Sequence, residues 1–150
     1  MESNAVTNRL NLDAYLPYLV NRVGSALVGN FTKEALVGER LSIAMWRVLA
    51  VLSNNGELRQ IDLSEMTSID VSTLSRLVTR LVGRGLVTRR RSKTNSREVV
   101  VRLSVKGRTL VDRIIPIARR LETRAASGLP AKDLAAVKRA LQRMFKNLAP

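Results

Sequence analysis

The sequence predicts a mainly α-helical fold interrupted once by a small β-hairpin, and three observations lead to it. Apolar residues recur at three- and four-residue spacing through most of the 150 residues, the signature of helices that bury one face. That period breaks only between residues 86 and 103, where two short valine-rich runs flank a polar turn. The formal charge of +14 is also uneven: residues 1–70 hold 6 basic and 8 acidic groups, whereas residues 71–150 hold 20 and 4. No linker rich in Gly, Ser or Pro divides the chain and no internal repeat is visible, so residues 1–150 read as one domain with helical arms.

The elements follow in order. Leu12, Tyr15, Leu16, Leu19, Val20, Val23 and Leu27 form a stripe that predicts a helix over 11–28, ended or loosened at Gly29 and Asn30. Ser42 can cap a second helix that buries Ile43, Trp46, Leu49, Ala50 and Leu52 and stops at Asn54-Asn55-Gly56. A short helix over Gln60–Met66 uses Ile61, Leu63 and Met66 as its apolar positions, and Ser68-Ile69-Asp70 breaks it.

Residues 71–83 are the most periodic stretch. At about 100° per residue, Val71, Leu74, Leu77, Val78, Leu81 and Val82 share an arc of roughly 140°. The opposite face is centred on Ser72, Arg76, Thr79 and Gly83, with Thr73 and Arg80 on its flank. Two short helices across a tight break make a helix-turn-helix pattern. Strands over 86–91 and 98–103 then form a hairpin around Ser92–Arg97. Ser104 can cap a long helix bent at Pro116, and Gly128-Leu129-Pro130 precedes a last helix with Leu134, Val137, Leu141, Met144, Phe145 and Leu148 on one side.

Composition excludes much. With no cysteine and no histidine, the chain has no disulfide, Cys/His zinc site, thiol sensor, Cys nucleophile or imidazole base. No nucleophile and base pair, phosphate loop or metal-ligand spacing is present, so neither an enzyme nor a bound cofactor is expected. Met1–Asp13 holds no hydrophobic run of signal type, and Leu41–Leu52 is too short to span a bilayer, so a cytoplasmic protein without a membrane role is expected.

Nine basic residues, Arg76, Arg80, Arg84, Arg89, Arg90, Arg91, Lys93, Arg97 and Arg102, face a single acid, Glu98, over 27 positions. A face that only solubilises mixes its signs, so this one points to a polyanion. Ser72, Thr73, Ser75, Arg76, Thr79 and Arg80 suit a major groove, where Arg can meet guanine bidentately. Arg89, Arg90, Arg91 and Lys93 are candidates for backbone phosphates, Arg84 for DNA contact as well, and Arg97 at the hairpin tip for a minor groove. Aromatic residues are 3% of the chain, with none in 71–102, so a base-stacking RNA platform is absent. An architectural nucleic-acid binder with little sequence preference is the alternative to a sequence-specific one.

The chain resembles the MarR family of winged helix-turn-helix transcriptional regulators. The matching residues are Leu41-Ser42-x-x-x-Trp46-x-Val48-Leu49, Val71-Ser72-Thr73-Leu74-Ser75-Arg76-Leu77-Val78-x-Arg80-Leu81, Gly83-Arg84-Gly85-Leu86-Val87 and Leu103-Ser104-x-x-Gly107. The family's wing turn reads Asp-x-Arg, and here it reads Asn95-Ser96-Arg97. The resemblance implies a winged lobe over about 41–105 and dimerisation helices over about 10–35 and 108–150. It implies a homodimeric regulator of double-stranded DNA at a pseudo-palindromic operator, most simply a repressor. It also implies a pocket for a small aromatic or anionic effector, for which Tyr15, Tyr18, Arg22, Met45, Trp46 and Arg47 are the candidates by position. The stripes of the first and last helices support the dimer independently, since together they carry more apolar surface than a small winged lobe can cover.

Overall fold

The computed structural model describes residues 9–150, so the start of the Met1–Asp13 segment lies outside the described residues. A single 3₁₀ turn at Leu12–Ala14 precedes helix α1, Leu16–Phe31, and the helix expected from residue 11 therefore begins later. The reason is Pro17. Proline has no N–H and clashes with the preceding turn in a helix interior, so Pro17 fits only the first turn, and Tyr15 caps it in extended backbone at φ −86° and ψ 109°. Gly29 and Asn30 do not end α1 either. The Asn30 amide donates to the Ala26 carbonyl at 2.8 Å, and the helix runs on into a π-helical turn at Thr32–Leu36.

Helix α2, Ile43–Asn55, starts on Ser42, whose hydroxyl accepts the Met45 N–H at 3.1 Å, and stops at Gly56 with φ 78°. Its buried side is Met45, Val48, Leu49 and Leu52, while Ile43, Trp46 and Ala50 are only half-buried. Strand β1, Leu58–Arg59, was not expected; two residues are too few to show a period. Helix α3, Gln60–Thr67, buries Leu63 but leaves Ile61 47% and Met66 50% exposed, which corrects the expectation for both. Its inner side is completed by polar groups instead, with the Thr67 hydroxyl donating to the Leu63 carbonyl and the Ser64 hydroxyl to the Ile69 carbonyl.

Helix α4, Val71–Gly83, has the expected bounds and sinks Leu74, Leu77, Val78 and Leu81 into the core. Val71 and Val82, at the margins of the arc, stay exposed. Strands β2, Val87–Arg91, and β3, Val99–Leu103, make the hairpin, and β1 pairs antiparallel on the other side of β3, giving the order β1-β3-β2. Helix α5, Val105–Ala125, continues through Pro116 as one element, and α6, Ala131–Leu148, follows. The core gathers Leu36, Val48, Leu52, Leu63, Leu81 and Ile114 from α2 to α5 and the π turn.

The arms contrast with that core. Helix α6 buries no residue, and Val23 on α1 and Phe145 on α6 are 58% and 65% exposed. Among the described residues no helix is long and apolar enough to cross a membrane.

The wing is joined to α5 by a close contact. Ser104 donates its hydroxyl to the Gly85 carbonyl and accepts the Gly107 N–H at 3.0 Å, drawing Gly107 against the Leu86 backbone. A Cβ at residue 107 would lie 2.0 Å from the Leu86 carbonyl oxygen, whereas one at Gly83 would meet nothing within 4 Å. Gly107→Ala is therefore expected to destabilise the fold by about 3 kcal/mol, the upper end of overpacking costs. Gly83→Ala should be neutral or stabilising by less than about 1 kcal/mol. Urea midpoints at unchanged slope measure both.

Candidate nucleic-acid interface

The turn before α4 aims its outward face. Ser68 adopts left-handed backbone at φ 56°, letting the chain reverse between α3 and α4. Asp70 then caps α4: its carboxylate accepts the Thr73 N–H at 2.9 Å and the Ser72 hydroxyl at 2.8 Å. Hydrogen bonding from the Thr73 side chain, then from its N–H and from Ser72, with Arg76 nearby, holds the Asp70 carboxyl down at about 2. Sequence reading took Asp70 only as part of a break, although an Asp one residue before a strongly periodic run is itself the cap signal.

With the apolar half of α4 fixed below, Ser72, Arg76, Thr79 and Arg80 are exposed, and Thr73 and Ser75 half-buried at the flanks. The Thr79 hydroxyl donates to the Ser75 carbonyl at 3.0 Å. The wing stands beside this face, and Arg89 reaches from β2 to the Ser75 carbonyl at 3.5 Å. At its tip, Asn95 accepts the Arg97 N–H on its side-chain oxygen at 3.1 Å and the Glu98 N–H on its carbonyl at 2.9 Å. Asn95 thus closes the turn with an uncharged side chain.

The basic residues separate into two groups. Arg90 pairs with Glu57 at 2.8 Å, Arg91 donates to the Ser96 carbonyl, and Arg102 donates to the Thr88 hydroxyl. Glu98, the lone acid of the stretch, is taken by Arg59 at 3.1 Å, whose fork also binds Asp62 at 2.7 Å. Arg76, Arg80, Lys93 and Arg97 have no carboxylate partner among the described residues. Arg84 faces elsewhere: half-buried, it donates to the Glu39 and Arg40 carbonyls at 2.7 and 2.8 Å.

The effector candidates do not come together. Tyr15 is exposed, Arg22 lies over the Tyr18 ring at 5.7 Å, Met45 is in the core and Arg47 is exposed. Only Trp46 lines the large apolar cavity of about 530 Å³ between α1, α2, α5 and α6. Its indole packs on Phe31 with ring centroids 5.3 Å apart. Leu27, Leu121, Leu134 and the Glu122–Lys138 ion pair join the wall. These residues come from four helices, and no local spacing links them. Among the described residues no group of three or more His, Cys, Asp or Glu is placed to hold a metal ion.

Residues 41–99 match the MarR family. Over 108 residues the chain is 31% identical to the transcriptional repressor IacR of Pseudomonas putida, a match covering 72% of this chain and 65% of that repressor's length. A MarR family transcriptional regulator from Silicibacter pomeroyi, known from its crystal structure, is 33% identical. It superposes with a TM-score of 0.82 over 91% of this chain and 92% of that one. BpsR of Bordetella bronchiseptica, whose DNA binding is regulated by 6-hydroxynicotinic acid, is 26% identical with a TM-score of 0.75, over 85% of this chain and 96% of that one. IacR and the Silicibacter pomeroyi protein are regulators of transcription rather than enzymes, in line with the expectation that the chain is not an enzyme.

The Asp70 cap has a pH signature. Its folded-state value of about 2 lies below the unfolded carboxylate's about 3.9, so its stabilising contribution is complete above pH 4 and is lost as pH falls toward 2. Asp70→Ala should melt at lower temperature than the parent at pH 6, and the gap should narrow as pH falls from about 4 to 2. Circular dichroism melts across that range measure it.

Proposed function

The chain belongs to the MarR family, and from that membership we propose that it is a homodimeric, sequence-specific regulator of double-stranded DNA, a repressor released by a small organic acid. The carrying observation is the exposed face formed by α4 and the wing tip, where Arg76, Arg80, Lys93 and Arg97 form no ion pair among the described residues. In this reading Ser72, Thr73, Ser75, Arg76, Thr79 and Arg80 enter a major groove. Arg89, Arg90, Arg91 and Lys93 meet phosphates and Arg97 reads a minor groove, beyond the turn that Asn95 closes.

The dimer is supported by the unburied stripes of α1 and α6, which a second copy would cover. Two recognition helices about one DNA turn apart then require half-sites about 10 bp apart. The cavity beside Trp46 supplies a place for an effector, and the regulation of the relative BpsR by an aromatic acid supports that class. A ligand bound among α1, α5 and α6 lowers operator affinity only if it binds more tightly to the arrangement in which the two α4 helices mismatch the DNA.

Footprinting on the DNA beside the protein's own gene, with and without aromatic acids, tests the proposal. A protected pseudo-palindrome that is lost with one acid is expected. Affinity that stays flat over random sequences would favour the architectural alternative. Arg76→Ala should cost about 1–3 kcal/mol on the cognate site and relax base preference at one position. Lys93→Ala should weaken all sequences alike and flatten the salt slope by about one. Sedimentation at micromolar concentration should show a dimer, and a stable monomer would refute that part.

A further inference from the structure

The chain between α1 and α2 is gripped from two directions. From α5, Arg124 binds the Glu34 carboxylate on the π turn, and Arg113 binds the Glu39 carboxylate at 3.0 Å. From the end of α4, Arg84 donates to the carbonyls of Glu39 and Arg40. Those carbonyls are presented by a tight turn: the Arg40 and Leu41 N–H groups bond back to the Val37 and Leu36 carbonyls, and Arg40 sits at φ 53°, strained for a residue with a side chain. Arg84 is also the C-cap of α4, and its own carbonyl accepts from Lys106 at 3.0 Å. Both ends of the gripped segment, Phe31 and Ile43, lie on the cavity wall.

Sequence position alone puts Arg84 among the DNA-contacting cations. Its geometry differs from theirs, because its guanidinium forks onto two adjacent main-chain carbonyls of a distant segment, Glu39 and Arg40, which fixes orientation as well as distance. We propose that Arg84 is a positioning residue for operator recognition: it locks the end of α4 and the root of the wing to the 36–41 turn, through which α5 and the cavity act on the reading helix. The proposal rests on the DNA-binding reading and says which kind of contribution Arg84 makes to it.

Arg84→Gln and Arg84→Lys are measured against the parent for affinity to the footprinted operator and to random DNA over a salt series, with Lys93→Ala as a phosphate-contact reference. For Arg84→Gln the operator-to-random ratio should fall by about tenfold, roughly the discrimination carried by one well-read base pair, with random-DNA affinity and salt slope unchanged. Arg84→Lys, which keeps a single donor point, should lie between. A slope that falls by about one together with both affinities identifies a phosphate contact and overturns the proposal. A lowered melting temperature with an unchanged ratio assigns Arg84 a purely structural role and overturns it equally. Hydrogen exchange of residues 36–41 and 80–86 is read without DNA, and Arg84→Gln should speed both segments together. If the parent binds no operator, the proposed function fails, and unchanged exchange would separately remove the lock.

Discussion

The interaction on which the rest depends is the burial of one half of α4. Leu74, Leu77, Val78 and Leu81 are each at least nine-tenths buried, so the helix cannot rotate about its axis without pulling leucines into water. Full burial of such a side chain stabilises by about 1.5–3 kcal/mol, and a roll of the helix would expose several at once. The outward hydroxyls and arginines are therefore held in position by residues that never touch a partner. The Asp70 cap, the Ser68 reversal and the Arg84 fork set where the helix begins, how it is entered and how its far end is tied.

The charge asymmetry of the sequence takes a second meaning in the fold. Acids of the first half do not stay among themselves: Glu34, Glu39 and Glu57 bind Arg124, Arg113 and Arg90 from the second half, while Glu98 crosses the other way to Arg59. Exposed pairs of this kind are each worth little, yet their placement sorts the cations. Among the described residues Arg76, Arg80, Lys93 and Arg97 on the outer face of α4 and at the wing tip form no ion pair, and neither do Arg119, Arg120 and Arg143 on α5 and α6.

Legibility followed the length of the pattern. Thirteen residues of unbroken helical period placed α4 to the residue, and the Ser42 and Ser104 caps were readable because a hydroxyl before an apolar run has a local reason to be there. Strand β1 was not readable: a two-residue strand exists only because Val100 and Val101 of a distant segment lie opposite. Helix α1 starts later than its apolar stripe predicts because Pro17 fits only the first turn. The cavity wall was illegible for a similar reason to β1, since Leu27, Trp46, Leu121 and Leu134 meet only after four helices have packed. Tyr15, Tyr18 and Arg22 are candidates by position in the family resemblance, and the fold leaves them outside that wall.

The strand order β1-β3-β2 leaves β2 on the rim of the sheet, with no strand on its far side among the described residues. Such a rim invites a strand from another molecule. Arg89, Arg90 and Arg91 occupy it in succession, so two copies approaching edge to edge would bring six cations together. The same run of arginines that suits a polyanion therefore acts as a guard against sheet-to-sheet aggregation. The apolar stripes of α1 and α6, at the two ends of the chain, carry no such barrier to a second copy.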